Sequence, residues 1–241
     1  MFKWGESECI ISIQHFPTST DVTTCLPFLN HLSEKLDQRY SHIVADIGYE
    51  SESNDAYLEG HHQISHIKRL NDEQSKKTGD KQAIEKKENM NYNATENFYF
   101  CTNQQNLVNT GIYIKENRKT KFKSEITTYH YQSCEEYPLK PKCTTDMDGK
   151  KIQVSKNFIK LNEQSLENIK NDLEMCLRVY RSIPAEGTFE ILKEDHHFAW
   201  LLTRGNEQVL TELLLLGISF NLRKLHNRIQ NERSDHHLLK K

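Results

Sequence analysis

Asp46 and Glu186, two acidic residues 140 positions apart, are the residues of this chain best suited to chemistry. Asp46 closes the apolar run His42-Ile43-Val44-Ala45, and Glu186 opens the helical stretch that runs through Phe189 and Leu192 to Lys193. A carboxylate at a strand end and a second on a distant helix suit a Mg²⁺-dependent phosphoryl-transfer site, because hard cations take oxygen ligands and clamp both the attacking and the leaving oxygens. Such sites use a third carboxylate, and the chain is expected to start after it. Lys193 stands seven residues beyond Glu186, so two helical turns put both on one face, with Phe189 and Leu192 as the packing stripe beside them. Each feature also has an ordinary explanation: Asp-x-Gly after a strand is common turn chemistry, and Glu/Lys pairs are frequent on helix surfaces.

The elements that must position these residues follow from the hydrophobic period. Residues 9–15 are β-rich and end before Pro17; Val22, Cys25, Leu26, Leu29, Leu32 and Leu36 then recur at helical spacing, with Asp21 as the expected N-cap. A strand over 42–46, a short helix from Ser51 to Glu59 that Gly60 can end, and a strand from Ile64 to Lys68 complete a β-α-β-α-β order. That order predicts a mostly parallel sheet flanked by helices, whose ligands lie at the carboxyl ends of the strands. A charged connection fills about 70–90. Strand periodicity then marks Phe98–Cys101, Leu107–Ile114 and Phe122–Tyr131, read as an antiparallel insertion over 92–150. Helical spacing returns near 155 and covers about 155–180, 185–203 and 207–228.

Composition sets the class. With 241 residues, 36% hydrophobic and 27% charged, the chain reads as globular with polar stretches. Its formal charge of −2 conceals −7 over residues 1–60, +6 over 61–160 and −1 over 161–241. The basic middle suits nucleic-acid phosphates, with Lys115, Arg118, Lys119, Lys121 and Lys123 as its densest cluster, although charge runs are commonly just solvated surface. The N-terminus lacks a secretory signal, and the Leu-rich run from Val209 to Phe220 is too short to span a bilayer, which predicts a cytoplasmic chain with no membrane partner.

Three stretches together resemble the C-terminal part of bacterial insertion-sequence transposases of the DDE class. They are His42-Ile-Val-Ala-Asp46-Ile-Gly-Tyr49-Glu-Ser51, Arg181-Ser-Ile-Pro-Ala-Glu186-Gly-Thr-Phe189-x-x-Leu-Lys193, and Leu213 to Gly217 followed by Asn221-x-x-Lys224-Leu-His226. Pro17-Thr-Ser-Thr-Asp21 and its following helix are similar to the same family. The resemblance implies an α/β fold: an incomplete RNase H-like core over 1–70, a linker and β-rich insertion over 71–150, and a helical region over 151–241 that completes the core. It implies DNA transposition by Mg²⁺- or Mn²⁺-dependent phosphoryl transfer, with Asp46 and Glu186 as catalytic metal ligands and Lys193 as a DNA contact. Arg181 is a second DNA contact, one residue out of the family's spacing. The partners implied are transposon ends and target DNA, at the bacterial nucleoid.

In an RNase H-like sheet the strand at 9–15 matches the third, so the first acidic ligand and two strands are expected to be missing and the chain inactive alone. Three readings then compete: a non-catalytic DNA-binding remnant, one half of a split enzyme completed by a full-length or N-terminal transposase chain, and a zinc-stabilised structural module. Cys134 and Cys143 resemble half of a family cysteine cluster, which Cys101 or His130 would have to complete, so bound zinc is not expected. The pairs His61-His62, His196-His197 and His236-His237 are assigned no metal.

Overall fold

Short amphipathic segments build three separate sheets in the computed structural model, which describes residues 2–4, 9–18, 20–70, 86–101, 103–131, 134, 138–170 and 201–230. The chain divides into two units, residues 1–39 with 171–241, and residues 40–170.

In the first unit, β1 (Phe2–Trp4) and β2 (Ile10–Ile13) form an antiparallel pair with Phe2 opposite Ile13. The strand expected to lead a mostly parallel sheet thus takes an antiparallel neighbour that is only three residues long, too short for a period to show. Helix α1 (Cys25–Leu36) buries Cys25, Leu29 and Leu32 from the spacing read in its sequence, and Phe28 beside them, while Leu26 is half-buried and Leu36 exposed. Asp21 is not its N-cap: it opens a 3-10 turn, and its carbonyl accepts the Thr24 hydroxyl at 2.8 Å while Thr24 takes the cap position. Pro27 falls in the first turn, where backbone N–H groups have no intrahelical acceptor to lose.

The long helix α4 (Asn206–Gln230) covers β2. Phe220, 2% exposed, packs with Leu210, Leu213 and Leu216 against Ile10 and Ile13. Gly217 allows this approach, since a Cβ there would stand 2.7 Å from Ile13 Cδ1. Asn221 finishes the contact: Ile10 N–H donates to its Oδ1 at 2.8 Å, and its Nδ2 donates to the Ile10 carbonyl at 2.7 Å. The carboxamide thereby pairs strand backbone groups as a neighbouring strand would. No helix among the described residues is long and apolar enough to cross a membrane.

The second unit begins with the parallel pair β3 (His42–Ala45) and β4 (Ile64–Ile67), joined through α2 (Glu52–Gly60). Ser51 caps α2 by accepting the Asn54 N–H at 3.1 Å. Gly60 is still helical; His61 is the C-cap, and the chain turns two residues after Gly60, at His62, which takes the left-handed φ of 54°. The insertion is a five-stranded antiparallel sheet in the order β5 (Asn91–Asn93), β6 (Phe98–Phe100), β7 (Asn106–Glu116), β8 (Lys123–Tyr131) and β9 (Lys150–Val154). Met90, Tyr99, Cys101, Leu107, Tyr129, Ile152 and Val154 form its core, with Ile159 of helix α3 (Lys156–Lys170) against them. The same helix reaches β4, where Ser165 and Asn168 donate to the Ser65 carbonyl at 3.3 and 3.4 Å.

One carbonyl organises the end of this sheet. Asn97 Oδ1, on a residue held at φ 54°, accepts from Tyr129 Oη at 2.7 Å, Tyr92 Oη at 2.8 Å and Lys156 Nζ at 3.0 Å. Burial above all, then the neighbouring Tyr92 and Tyr99, holds the Tyr129 phenol well above the usual tyrosine range. Because the folded state keeps this proton longer than the unfolded chain does, the stability it confers is complete below about pH 10 and is lost as pH rises beyond it. Urea midpoints measured from pH 8 upward should therefore fall more steeply above pH 10 in the wild type than in Tyr129→Phe.

Candidate active site

Asp46 stands immediately after β3, at the carboxyl end of a parallel strand pair and exposed to solvent. Its side chain caps the 3-10 turn Ile47–Tyr49, with Oδ1 accepting the Ile47 N–H at 3.0 Å. This contact fixes the carboxylate rotamer at the position where open α/β sheets gather their ligands.

The loop behind Asp46 is held by charged groups that local sequence patterns do not reveal. Arg69, directly beyond β4 and 1% exposed, grips Asp55 of α2 with two hydrogen bonds, Nη1 to Oδ2 at 2.7 Å and Nη2 to Oδ1 at 2.9 Å. Ser65 donates to the same carboxylate at 2.8 Å. Glu50, at the end of the 3-10 turn, approaches Arg69 at 3.9 Å and accepts the Leu70 N–H at 2.9 Å. Asn54 adds a hydrogen bond from Nδ2 to the Tyr49 carbonyl at 2.8 Å. The turn that carries Asp46 is thus tied to α2 and to the exit of β4 through Asn54, Glu50, Asp55 and Arg69. Fourteen positions separate Asp55 from Arg69 across a helix, a turn and a strand, and only the parallel pairing brings them together.

On the same strand pair, His42 Nδ1 and the buried His66 Nε2 lie 2.9 Å apart. Below α2 and α3 a cavity of about 410 Å³ is lined by Asp55, Glu59, His62, Gln164 and Asn168, among others. Among the described residues no three or more His, Cys, Asp or Glu side chains gather as a metal-binding group. Cys101, Cys134 and Cys143 are buried, reduced thiols, and His130 Nε2 meets the Asp148 carbonyl at 2.8 Å. Arg181, Glu186 and Lys193 lie outside the described residues.

The chain is thus a mixed α/β protein with a carboxylate displayed at the end of a parallel strand. A family model described as "Transposase DDE domain" matches residues 100–226, more than half of its length, and the chain belongs to that transposase family. The matched stretch contains Arg181, Glu186 and Lys193, while Asp46 precedes it. Membership carries DNA transposition as the general activity, DNA as substrate and divalent cations as the usual cofactor class. No curated protein and no solved structure shows a significant match.

Proposed function

We propose that Asp46 and Glu186 are metal-binding carboxylates of a DDE site built on an incomplete RNase H-like core, acting on insertion-sequence ends near the bacterial nucleoid. The observation that carries this reading is the position of Asp46, exposed, rotamer-fixed and braced from behind at the carboxyl end of β3. A carboxylate there is a hard oxygen donor and fits Mg²⁺ or Mn²⁺ rather than zinc. Bound to such a site, a divalent cation supplies an activated water and stabilises charge on the leaving oxygen. Asp46 and Glu186 orient the oxygen-rich end of the site. Lys193 and Arg181 neutralise the phosphates on either side of the scissile bond.

The ligand set also bears on whether the chain acts alone. The family resemblance implies a third acidic ligand, and we assign it to a second polypeptide, a full-length or N-terminal transposase chain. Incubated with duplex terminal-repeat DNA in Mg²⁺ or Mn²⁺, the purified chain should leave the strands intact. Adding a family N-terminal segment should start nicking, which Asp46→Asn or Glu186→Gln abolishes. Nicking by the chain alone would overturn the division of the site, and nicking that survives both substitutions would overturn the site itself.

A further inference from the structure

The hairpin of β7 and β8 leaves its sheet. Strand β6 pairs with β7 only over Asn106–Val108, and β9 pairs with β8 only over Thr127–Tyr131, so among the described residues Tyr113–Glu116 and Lys123–Ile126 pair only with each other. A bulge at Asn109–Gly111 marks the departure, with Asn109 Oδ1 accepting the Gly111 N–H at 2.9 Å. Bulges bend a strand and sharpen its twist, which aims this ribbon away from the sheet that bears it. Its tip is an ordered turn: Asn117 Oδ1 accepts the N–H groups of Lys119 and Thr120 at 2.9 and 3.2 Å, and Lys121 takes a left-handed φ of 57°.

The composition of the ribbon is unlike a solvated hairpin. Ile112, Tyr113 and Ile114 are 58%, 40% and 59% exposed, although a two-stranded ribbon has no core of its own to bury them in. Around them the tip holds five basic side chains against two acidic ones, Glu116 and Glu125. Lys121 meets Glu116 at 3.8 Å, an exposed pair of little energetic weight. Among the described residues Lys115, Arg118, Lys119 and Lys123 make no ion pair.

We propose that this ribbon is a DNA-binding arm that lies in the major groove of duplex DNA, with its basic tip on the phosphates and Ile112 and Ile114, which share one face of the strand, against base edges. The proposal rests on the transposase reading and assigns its DNA contact to an element outside the acidic site. The major groove is about 12 Å wide and admits a two-stranded ribbon as it stands, whereas the minor groove, about half as wide, must be opened by bending the duplex. Positive charge at the tip complements phosphate and disfavours a second copy of the same tip.

The test measures binding of the full chain to terminal-repeat duplex by fluorescence anisotropy across a KCl series. The triple variant Arg118→Ala/Lys119→Ala/Lys121→Ala should bind at least about tenfold more weakly at 150 mM KCl, with the slope of log K against log [KCl] shallower by roughly 2–3. Its far-UV circular dichroism should be unchanged, because all three side chains are exposed. Ile112→Thr/Ile114→Thr should weaken binding without altering the slope. If the wild type binds and the triple variant matches it in affinity and slope, the arm is refuted while the proposed acidic site stands; if the wild type does not bind even at 50 mM KCl, the arm and the proposed action of this chain on DNA ends both fall. Self-association lost in Ile112→Thr/Ile114→Thr with DNA binding intact would make the ribbon a protein contact and refute the proposal.

Discussion

Asp55→Ala should cost the 40–170 unit about 3–5 kcal/mol, the range found when one partner of a buried ion pair is removed. Both side chains are 1% exposed, so the guanidinium of Arg69 would keep its charge in a place water does not reach. Glu50, 3.9 Å away, is too distant to replace a two-point grip and is already committed to the Leu70 N–H. The pair need not stabilise the fold relative to an apolar filling. Replacing both residues, as Asp55→Leu/Arg69→Met, should therefore cost much less than Asp55→Ala alone. Urea denaturation followed by fluorescence checks both variants, and equal losses would show that the charge left behind is not the source of the destabilisation. Since these residues brace the Asp46 turn, the double variant should also nick DNA poorly in the complemented reaction while remaining folded.

Phe220→Ala should be comparably damaging to the other unit, at about 3–5 kcal/mol. Phe220 is the principal buried side chain of α4, and its removal leaves a void over Ile10 and Ile13 that Gly217 has no side chain to fill. Asn221→Leu, next along the helix, probes a different contribution. It keeps bulk but takes away both hydrogen bonds to Ile10, at an expected cost of about 1–3 kcal/mol for the backbone groups left unpaired. Because neighbours sharing a strand couple, the double variant should depart from the sum of the two. Denaturation midpoints for the three variants measure this; wild-type stability in Phe220→Ala would mean that α4 does not hold β2.

The sequence was most legible where a period ran long enough to be counted. The helical period of α1, the strand character of β7 and β8, and the β3-α2-β4 unit with Asp46 at its strand end all follow from spacing. Three-residue β1 and β5 offer no period at all. In β9 the burial does alternate, through Lys150, Ile152 and Val154, but a buried lysine that donates to the Cys143 carbonyl at 2.7 Å disguises the pattern. Of the insertion's aromatics, Phe98, Tyr99 and Tyr129 are buried, whereas Tyr92, Phe100 and Tyr113 are 41%, 37% and 40% exposed, a division that a hydrophobicity pattern does not show. Arg69 and Asp55 were unreadable for the reason that makes them informative: each looks like a surface charge until the parallel pairing puts one on the other. Arg181, Glu186 and Lys193, read from a motif, lie outside the described residues.

The shared-ion account is tested most directly by iron-directed cleavage of the chain bound to duplex DNA, with Fe²⁺ in place of Mg²⁺ and peroxide and ascorbate added. Radicals formed at a bound ion cut the nearest backbone, so the account predicts cuts beside both Asp46 and Glu186, with both sets lost together in Asp46→Asn. Cuts at only one of the two segments, or at both but indifferent to Asp46→Asn, would contradict it.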